Sequence, residues 1–261
     1  MMATKAPTRA CAVALIGALS IAQAGAMVGG APAASDGVGR SVVMILGSFG
    51  TACTATAIGR DLLLTAAHCV QPGADYKLVD SKSGPAPVLK NIARIARDPQ
   101  FDLNRLLGHL ATADVALIKL VDPLPAKITP ASIGDAAEKV AVGDTLVVAG
   151  YGVAVRGDGR TGGTVRAATL VVTGQPGTLQ IRLYDPRTKG DSPGLGACAG
   201  DSGAPAFRGS GDSLAVIGVV SWSTGPKLSA GCGGLTGITP LVNYRAWILE
   251  TARALGSPLA P

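Results

Sequence analysis

The chain has 261 residues, 48% of them hydrophobic but only 3% aromatic, with 36 glycines, 17 prolines and a formal net charge of +6. That length holds one or two domains around a core of Ala, Val, Leu and Ile, and the many turn formers suit an all-β fold of short strands. The mild positive charge comes without a dense basic run or interleaved aromatics, which argues against nucleic-acid binding, and no carboxylates or histidines cluster at metal-ligand spacing, so neither metal nor cofactor is expected.

Residues 1–26 read as a secretory signal peptide. Lys5 and Arg9 form its basic start, and the apolar run from Ala10 to Ala22 is short for a membrane span. Cleavage fits after Ala24 or after Ala26, each closing a small-x-small triplet. Loss of the leader removes Cys11 and lowers the charge from +6 to +4. Export permits disulfides, and Cys53, Cys69, Cys198 and Cys232 remain, allowing three pairings.

Strands are expected over 42–46, 51–58 and 62–64, the last leading into Thr65-Ala66-Ala67-His68-Cys69. His68 is one of only two histidines, and imidazole is the usual general base near neutral pH. A Cys53–Cys69 bridge, spanning 16 residues, would pin its loop to the neighbouring strand. The stretch 71–87 is turn-rich, 88–95 reads as a strand, and 101–110 as a loop with a solvated His109. Asp114 enters a strand over 113–120, where its carboxylate is placed to accept from the histidine Nδ1–H.

A crossing follows over 121–137, then strands over 145–151, 167–172 and 179–183, with a mobile glycine- and arginine-rich surface loop at 156–166 between the first two. Ala199-Gly200-Asp201-Ser202-Gly203-Ala204-Pro205 sets a serine between glycines. Amides in such a turn form a donor pocket for a developing oxyanion, and the serine can attack a carbonyl if a base takes its proton. The order His68, Asp114, Ser202 is a known chain order for such a triad. A buried strand is expected over 214–222 and a terminal helix over 240–255, with Tyr244, Trp247, Ile248, Thr251 and Leu255 on its packed face.

The blocks Thr65–Cys69, Asp114–Ile118 and Gly200–Pro205 together resemble the three signature blocks of the trypsin-like (chymotrypsin family) serine proteases, and the resemblance runs from Met27 to the C-terminus. It implies two packed antiparallel Greek-key β-barrels with a C-terminal helix. The first barrel, 27–133, would carry His68 and Asp114, and the second, 134–261, would carry Ser202. His68, Asp114 and Ser202 would be the triad, with the N–H groups of Gly200 and Ser202 as the oxyanion hole. Cys232 most resembles the partner of Cys198, in a bridge holding the specificity pocket, alongside the Cys53–Cys69 bridge. Ser221-Trp222-Ser223 resembles the segment that pairs with substrate backbone. Met27-Val28-Gly29-Gly30 resembles an activating N-terminus whose amino group pairs with Asp201, so that signal removal itself would activate the enzyme.

Aligned on the serine block, Gly196 stands where trypsin has its pocket-floor aspartate. With Ala197 beside it, and with Ser223 and Thr236 narrowing the mouth, the pocket would favour small or medium apolar residues. Two departures, Thr54 after Cys53 and Ala204 after Gly203, replace the family's glycines and are expected to crowd the leaving-group side. The reading is a secreted or periplasmic monomeric serine endopeptidase acting on polypeptides, with protein inhibitors as further partners and no membrane association after signal removal. A silent binding protein on the same fold is the alternative. An esterase built on Gly-x-Ser-x-Gly fails because Ala204 occupies the second glycine position and the acid precedes the serine.

Overall fold

A computed structural model describes residues 27–81, 86–135, 139–209 and 213–260. The signal-peptide reading of residues 1–26 lies outside the described residues. After a short helix, α1 (Asp36–Gly39), come β1 (Val42–Gly47), β2 (Ala52–Ala57), β3 (Leu62–Thr65), β4 (Tyr76–Asp80), β5 (Val88–Arg97), helix α2 (Leu103–Leu107) and β6 (Ala116–Leu120). These six strands close a barrel in the order β1-β2-β3-β6-β5-β4, with every pairing antiparallel.

The remaining strands are β7 (Ser132–Ile133), β8 (Thr145–Gly150), β9 (Arg166–Thr173), β10 (Ile181–Tyr184), β11 (Pro205–Arg208), β12 (Ala215–Ser223) and β13 (Leu235–Pro240). The order β11-β8-β9-β10-β13-β12 closes through β11–β12 pairing into a second antiparallel barrel. The short β7 runs parallel to the start of β12. Helix α3 (Arg245–Ala254) follows. Among the described residues, no helix is long and apolar enough to cross a membrane.

Three apolar clusters hold this arrangement. One fills the first barrel, with Val43, Ile45, Ala55, Leu63, Ile118 and Leu120. Another fills the second, with Leu146, Val148, Leu170, Leu183, Val220 and Ile238. The third lies between the barrels and under α3, joining Leu62, Leu64 and Leu117 to Phe207, Val216, Val219, Tyr244 and Ile248. The run Leu62-Leu63-Leu64 is apolar without alternation because β3 is buried on both faces: Leu63 points into the barrel while Leu62 and Leu64 point at the other half. Two clusters thus meet where β3 ends, just ahead of His68.

The structure adds elements the sequence pattern hid. β4 lies inside the turn-rich 71–87, α2 inside the expected loop 101–110, and β11 starts on Pro205, a position where proline costs no ladder bond. The expected helix over 240–255 begins later. Residues 235–240 are strand β13, Leu241–Asn243 form a single 3-10 turn, and α3 starts at Arg245. Its buried face carries Ile248, Ala252 and the following Leu255, with Trp247 packed beside them.

Candidate active site

His68 sits in a 3-10 turn, Ala67–Cys69, directly after β3. The turn is tied back to β2 by the Cys53–Cys69 disulfide. Asp114 lies just before β6, not within it, in a tight local fold where its own N–H donates to Thr112 O at 2.9 Å. Because β3 pairs with β6, the end of one strand is brought beside the start of the other. The Asp114 carboxylate, fully buried, accepts from His68 twice: Oδ1 from the backbone N–H at 2.9 Å and Oδ2 from Nδ1 at 2.7 Å. Fixing Nδ1 as the donor leaves Nε2 with the free lone pair. Oδ2 also accepts the Ser221 hydroxyl at 2.5 Å.

Ser202 belongs to the second barrel but is anchored on the first. Thr54 of β2 donates its N–H to Ser202 O at 2.9 Å, and the next residue, Gly203, takes a φ of +78°. A Cβ on Gly203 would collide with Thr54, Thr65 and Ala66, so only glycine lets the serine turn lie against the strand leading to His68. Gly200 also needs its missing side chain: its φ is +94° and a Cβ would come within 2.9 Å of Gly152 Cα. Among the described residues, the N–H groups of Gly200 and Ser202 have no protein acceptor. Asp201, between them, donates its own N–H to Cys198 O at 3.0 Å.

The Asp201 carboxylate is completely buried and accepts from Gly152 N–H and Cys198 N–H, both at 2.9 Å. Among the described residues no Lys or Arg pairs with it, and burial pushes its pKa up to about 7 against those two donors. Gly152 and Gly150 pack so closely on it that a side chain at either would displace it. Met27 is fully buried in the second-barrel cluster, among neighbours that include Ala197 and Ala204, and Val28 N–H donates to Gly196 O at 3.1 Å.

The residues expected to form the pocket lie on two segments. Gly196, Ala197 and Cys198 form one. Ser221, Trp222 and Ser223 of β12 form the other, paired through Trp222 and Ser223 to Gly237 and Thr236 of β13. The Cys198–Cys232 disulfide links the first segment to the loop before β13. Thr236 does not rim an open mouth as expected. It is buried, and its hydroxyl accepts the Ala197 N–H at 3.0 Å, joining the first segment to β13. Ser223 donates to Gly231 O at 3.3 Å. His109 is exposed and remote from this constellation's hydrogen bonds.

Cys53, His68 and Cys69 place three ligand atoms within 4.8 Å of one another. Both sulfurs are spent on their mutual bond, which leaves no thiolate for a metal. The two departures from glycine are both buried. Ala204 is buried in the second-barrel cluster. Thr54 is also fully buried, and its hydroxyl donates to Gly200 O at 2.8 Å while accepting Tyr151 N–H at 3.0 Å. Strand periodicity holds the signal for this. Cys53, Ala55 and Ala57 face the first barrel's interior, so Thr54 must face the other half. The Ser221 bond to Asp114 had no sequence signal, because the two residues meet only across the barrel interface.

Comparison with known proteins agrees with this architecture. A sequence model of the family described as Trypsin matches residues 27–248. Similar curated proteins include a calcium-dependent serine proteinase from Mesocricetus auratus, 28% identical over 231 residues, covering 77% of this chain and 32% of that protein. Transmembrane protease serine 9 from Rattus norvegicus is 27% identical over 256 residues, 91% of this chain and 23% of that protein. Kallikrein-8 from Homo sapiens is 27% identical over 221 residues, 78% of each. The chain therefore spans less than a third of the length of the first two relatives.

Proposed function

The chain belongs to the trypsin family of serine proteases, and on that premise we propose that it is a secreted serine endopeptidase working through an acyl-enzyme. Ser202 is the nucleophile, His68 the general base and acid, and Asp114 the carboxylate that orients the imidazole. The observation that carries this reading is the 2.7 Å bond from His68 Nδ1 to a fully buried Asp114, made beside a serine turn hydrogen-bonded onto β2.

In the reaction, Ser202 Oγ bonds to the peptide carbonyl carbon as its proton passes to His68 Nε2. The carbonyl oxygen takes the negative charge against the Gly200 and Ser202 N–H groups. Loss of one such donor costs about 3–4 kcal/mol of transition-state stabilisation. The C–N bond then breaks, His68 returns the proton to the leaving amine, and water repeats the cycle on the ester to release the acid. No cofactor takes part in these steps.

Substrate backbone would pair along Ser221–Ser223. Gly196 puts no charge at the pocket floor, and a Cβ there would already come within 3.3 Å of Thr236 Oγ1 and 3.4 Å of Gly233 Cα. Small or medium apolar residues suit that space, with graded selectivity because one methylene is worth only about 1–3 kcal/mol. The Cys198–Cys232 and Cys53–Cys69 bridges suit an extracytoplasmic monomer acting on polypeptides and open to protein inhibitors.

Cleavage after Ala26 would give Met27 an ammonium group, and Asp201, which pairs with no Lys or Arg among the described residues, is its proposed partner. The buried Met27 side chain and the Val28–Gly196 bond support that seating.

The test is labelling of the purified protein with a fluorophosphonate, read by intact mass, beside Ser202→Ala. One adduct, lost in the variant, is the expected result. No adduct on a folded chain beginning at Met27 would replace this reading with a binding protein on the same fold.

A further inference from the structure

Thr54 connects the first barrel to the serine turn twice and to Tyr151, just after β8, once. Its N–H donates to Ser202 O at 2.9 Å, its hydroxyl donates to Gly200 O at 2.8 Å, and the same hydroxyl accepts Tyr151 N–H at 3.0 Å. The strand at this point is itself fixed, because Thr65 Oγ1 donates to Thr54 O at 2.8 Å. One buried side chain therefore holds the carbonyl of Gly200 and the N–H of Tyr151, on the two segments that meet behind the proposed oxyanion pocket.

We propose that the Thr54 hydroxyl is a positioning residue for that pocket: it holds the Gly200 carbonyl into the barrel interface and so fixes the Gly200–Asp201 peptide that lies between the two donor N–H groups of Gly200 and Ser202. The inference rests on the assignment of Gly200 and Ser202 as oxyanion donors. Gly200 has no Cβ and sits at φ +94°, so its own conformational preferences hold it weakly. Val153 N–H holds the preceding carbonyl, Ala199 O, at 2.9 Å, and rotation of the Gly200–Asp201 peptide, which Thr54 holds, would turn the adjoining donors off the reacting oxygen. A hydroxyl that must donate to one partner while accepting from another has a single productive orientation, and this couples the turn to both Tyr151 and β2. Valine has nearly the same shape but can make neither bond. Serine can make both.

The experiment compares the wild type with Thr54→Val and Thr54→Ser, each normalised to the fraction labelled by fluorophosphonate. Cleavage of a peptide ester is followed together with binding of a peptidyl boronate, whose adduct oxygen occupies the oxyanion position, and of the matching product peptide, which makes no such adduct. Thr54→Val is expected to lower kcat about 10- to 100-fold with KM nearly unchanged, because the lost alignment matters only when charge develops. Boronate affinity should fall by a similar factor, product affinity should hold, and Thr54→Ser should recover activity to within about threefold of wild type. Unchanged kcat, or equal weakening of boronate and product, overturns the proposal. If Thr54→Val does not accumulate folded, Thr54→Ala removes the same hydroxyl without placing a methyl against the Gly200 carbonyl, and the same criteria apply. A wild type that takes no label sinks the endopeptidase reading itself. A labelled wild type with an unaffected Thr54→Val sinks only the positioning role of Thr54.

Discussion

Ser221 donates its hydroxyl to Asp114 Oδ2 at 2.5 Å, from the second barrel to a carboxylate of the first. The same oxygen receives the His68 ring proton, so Ser221 shares in holding the carboxylate against the imidazole. Ser221→Ala should leave a buried charge short of one donor. A hydrogen bond to a charged group contributes about 1.5–3 kcal/mol, so the denaturation midpoint in urea should fall accordingly. Turnover of a peptide ester should drop by about tenfold, as a less firmly held carboxylate orients the imidazole less well. A variant equal to wild type in both measurements would show that the bond has no energetic role.

Asp201 gives a pH prediction whose sign depends on the N-terminus. In a chain still extended beyond Met27, burial raises the folded pKa from 3.8 to about 7. The unfolded chain then releases this proton first, so stability is highest at acid pH and falls as pH rises from about 4 to about 7. The full span corresponds to roughly 4 kcal/mol. Denaturation of the extended chain between pH 4 and 7 should show that decline, and Asp201→Asn should flatten it. A chain beginning at Met27 should show the decline abolished if its ammonium pairs with Asp201. Identical profiles in the two chains would refute the pairing.

Tyr244 predicts a gain. Its side chain is packed in the cluster between the barrels, its hydroxyl is buried without a hydrogen-bond partner among the described residues, and its pKa is pushed up to about 12. Burial is the main cause, with the nearby Asp98 and Asp114 carboxylates adding to it. Tyr244→Phe removes an unpaired polar atom from an apolar site and should raise stability by about 1 kcal/mol. Thermal denaturation checks this; a lowered melting temperature would mean the hydroxyl is paired in solution.

Lys119, Asp61 and Ser257 form a triangle that fastens the segment after α3 onto the first barrel. Lys119 Nζ bonds Asp61 Oδ2 and, at 2.6 Å, Ser257 Oγ, which donates to Asp61 Oδ1 at 2.6 Å. Lys119 lowers the Asp61 pKa against the opposing effect of burial, which is the largest single influence. Lys119→Met should cost about 1 kcal/mol and speed amide exchange over 256–260 more than in the barrels. Uniform exchange across the chain would show that the triangle does not hold the tail.

Much of this fold was legible because its strands are apolar runs ended by glycine or a charged turn. Val42, Leu62–Leu64 and Leu117 advertise burial without any knowledge of their partners. The candidate site was legible for a different reason: short local motifs single out His68, Asp114 and Ser202, each in or beside a turn, and of these the structure bonds His68 to Asp114. What stayed hidden was made by contact across the barrels. Thr54 looked like an obstruction because sequence shows its size but not that Gly200 O and Tyr151 N–H await its hydroxyl. Thr236 looked like a rim residue because its spacing from Trp247 does not show that its hydroxyl turns toward Ala197. β13 went unseen because Gly237 and Pro240 break up the short run Leu235–Pro240, which is held as a strand by β10 and β12 on either side.

The closure of both barrels bears on survival at high concentration. An enzyme acting as proposed above, on substrate held as an extended strand, would meet other copies of itself. In each copy the ladder bonds of the two barrels are already satisfied around complete rings, leaving few free strands for a neighbour's cleft to seize. The segment from Ala154 to Gly163 lies outside those rings, yet it is knotted on itself: Thr161 Oγ1 accepts the N–H groups of Ala154 and Val155 and donates to Asp158 O. Among the described residues the fold therefore offers few unpaired strand edges to a cleft of the proposed kind.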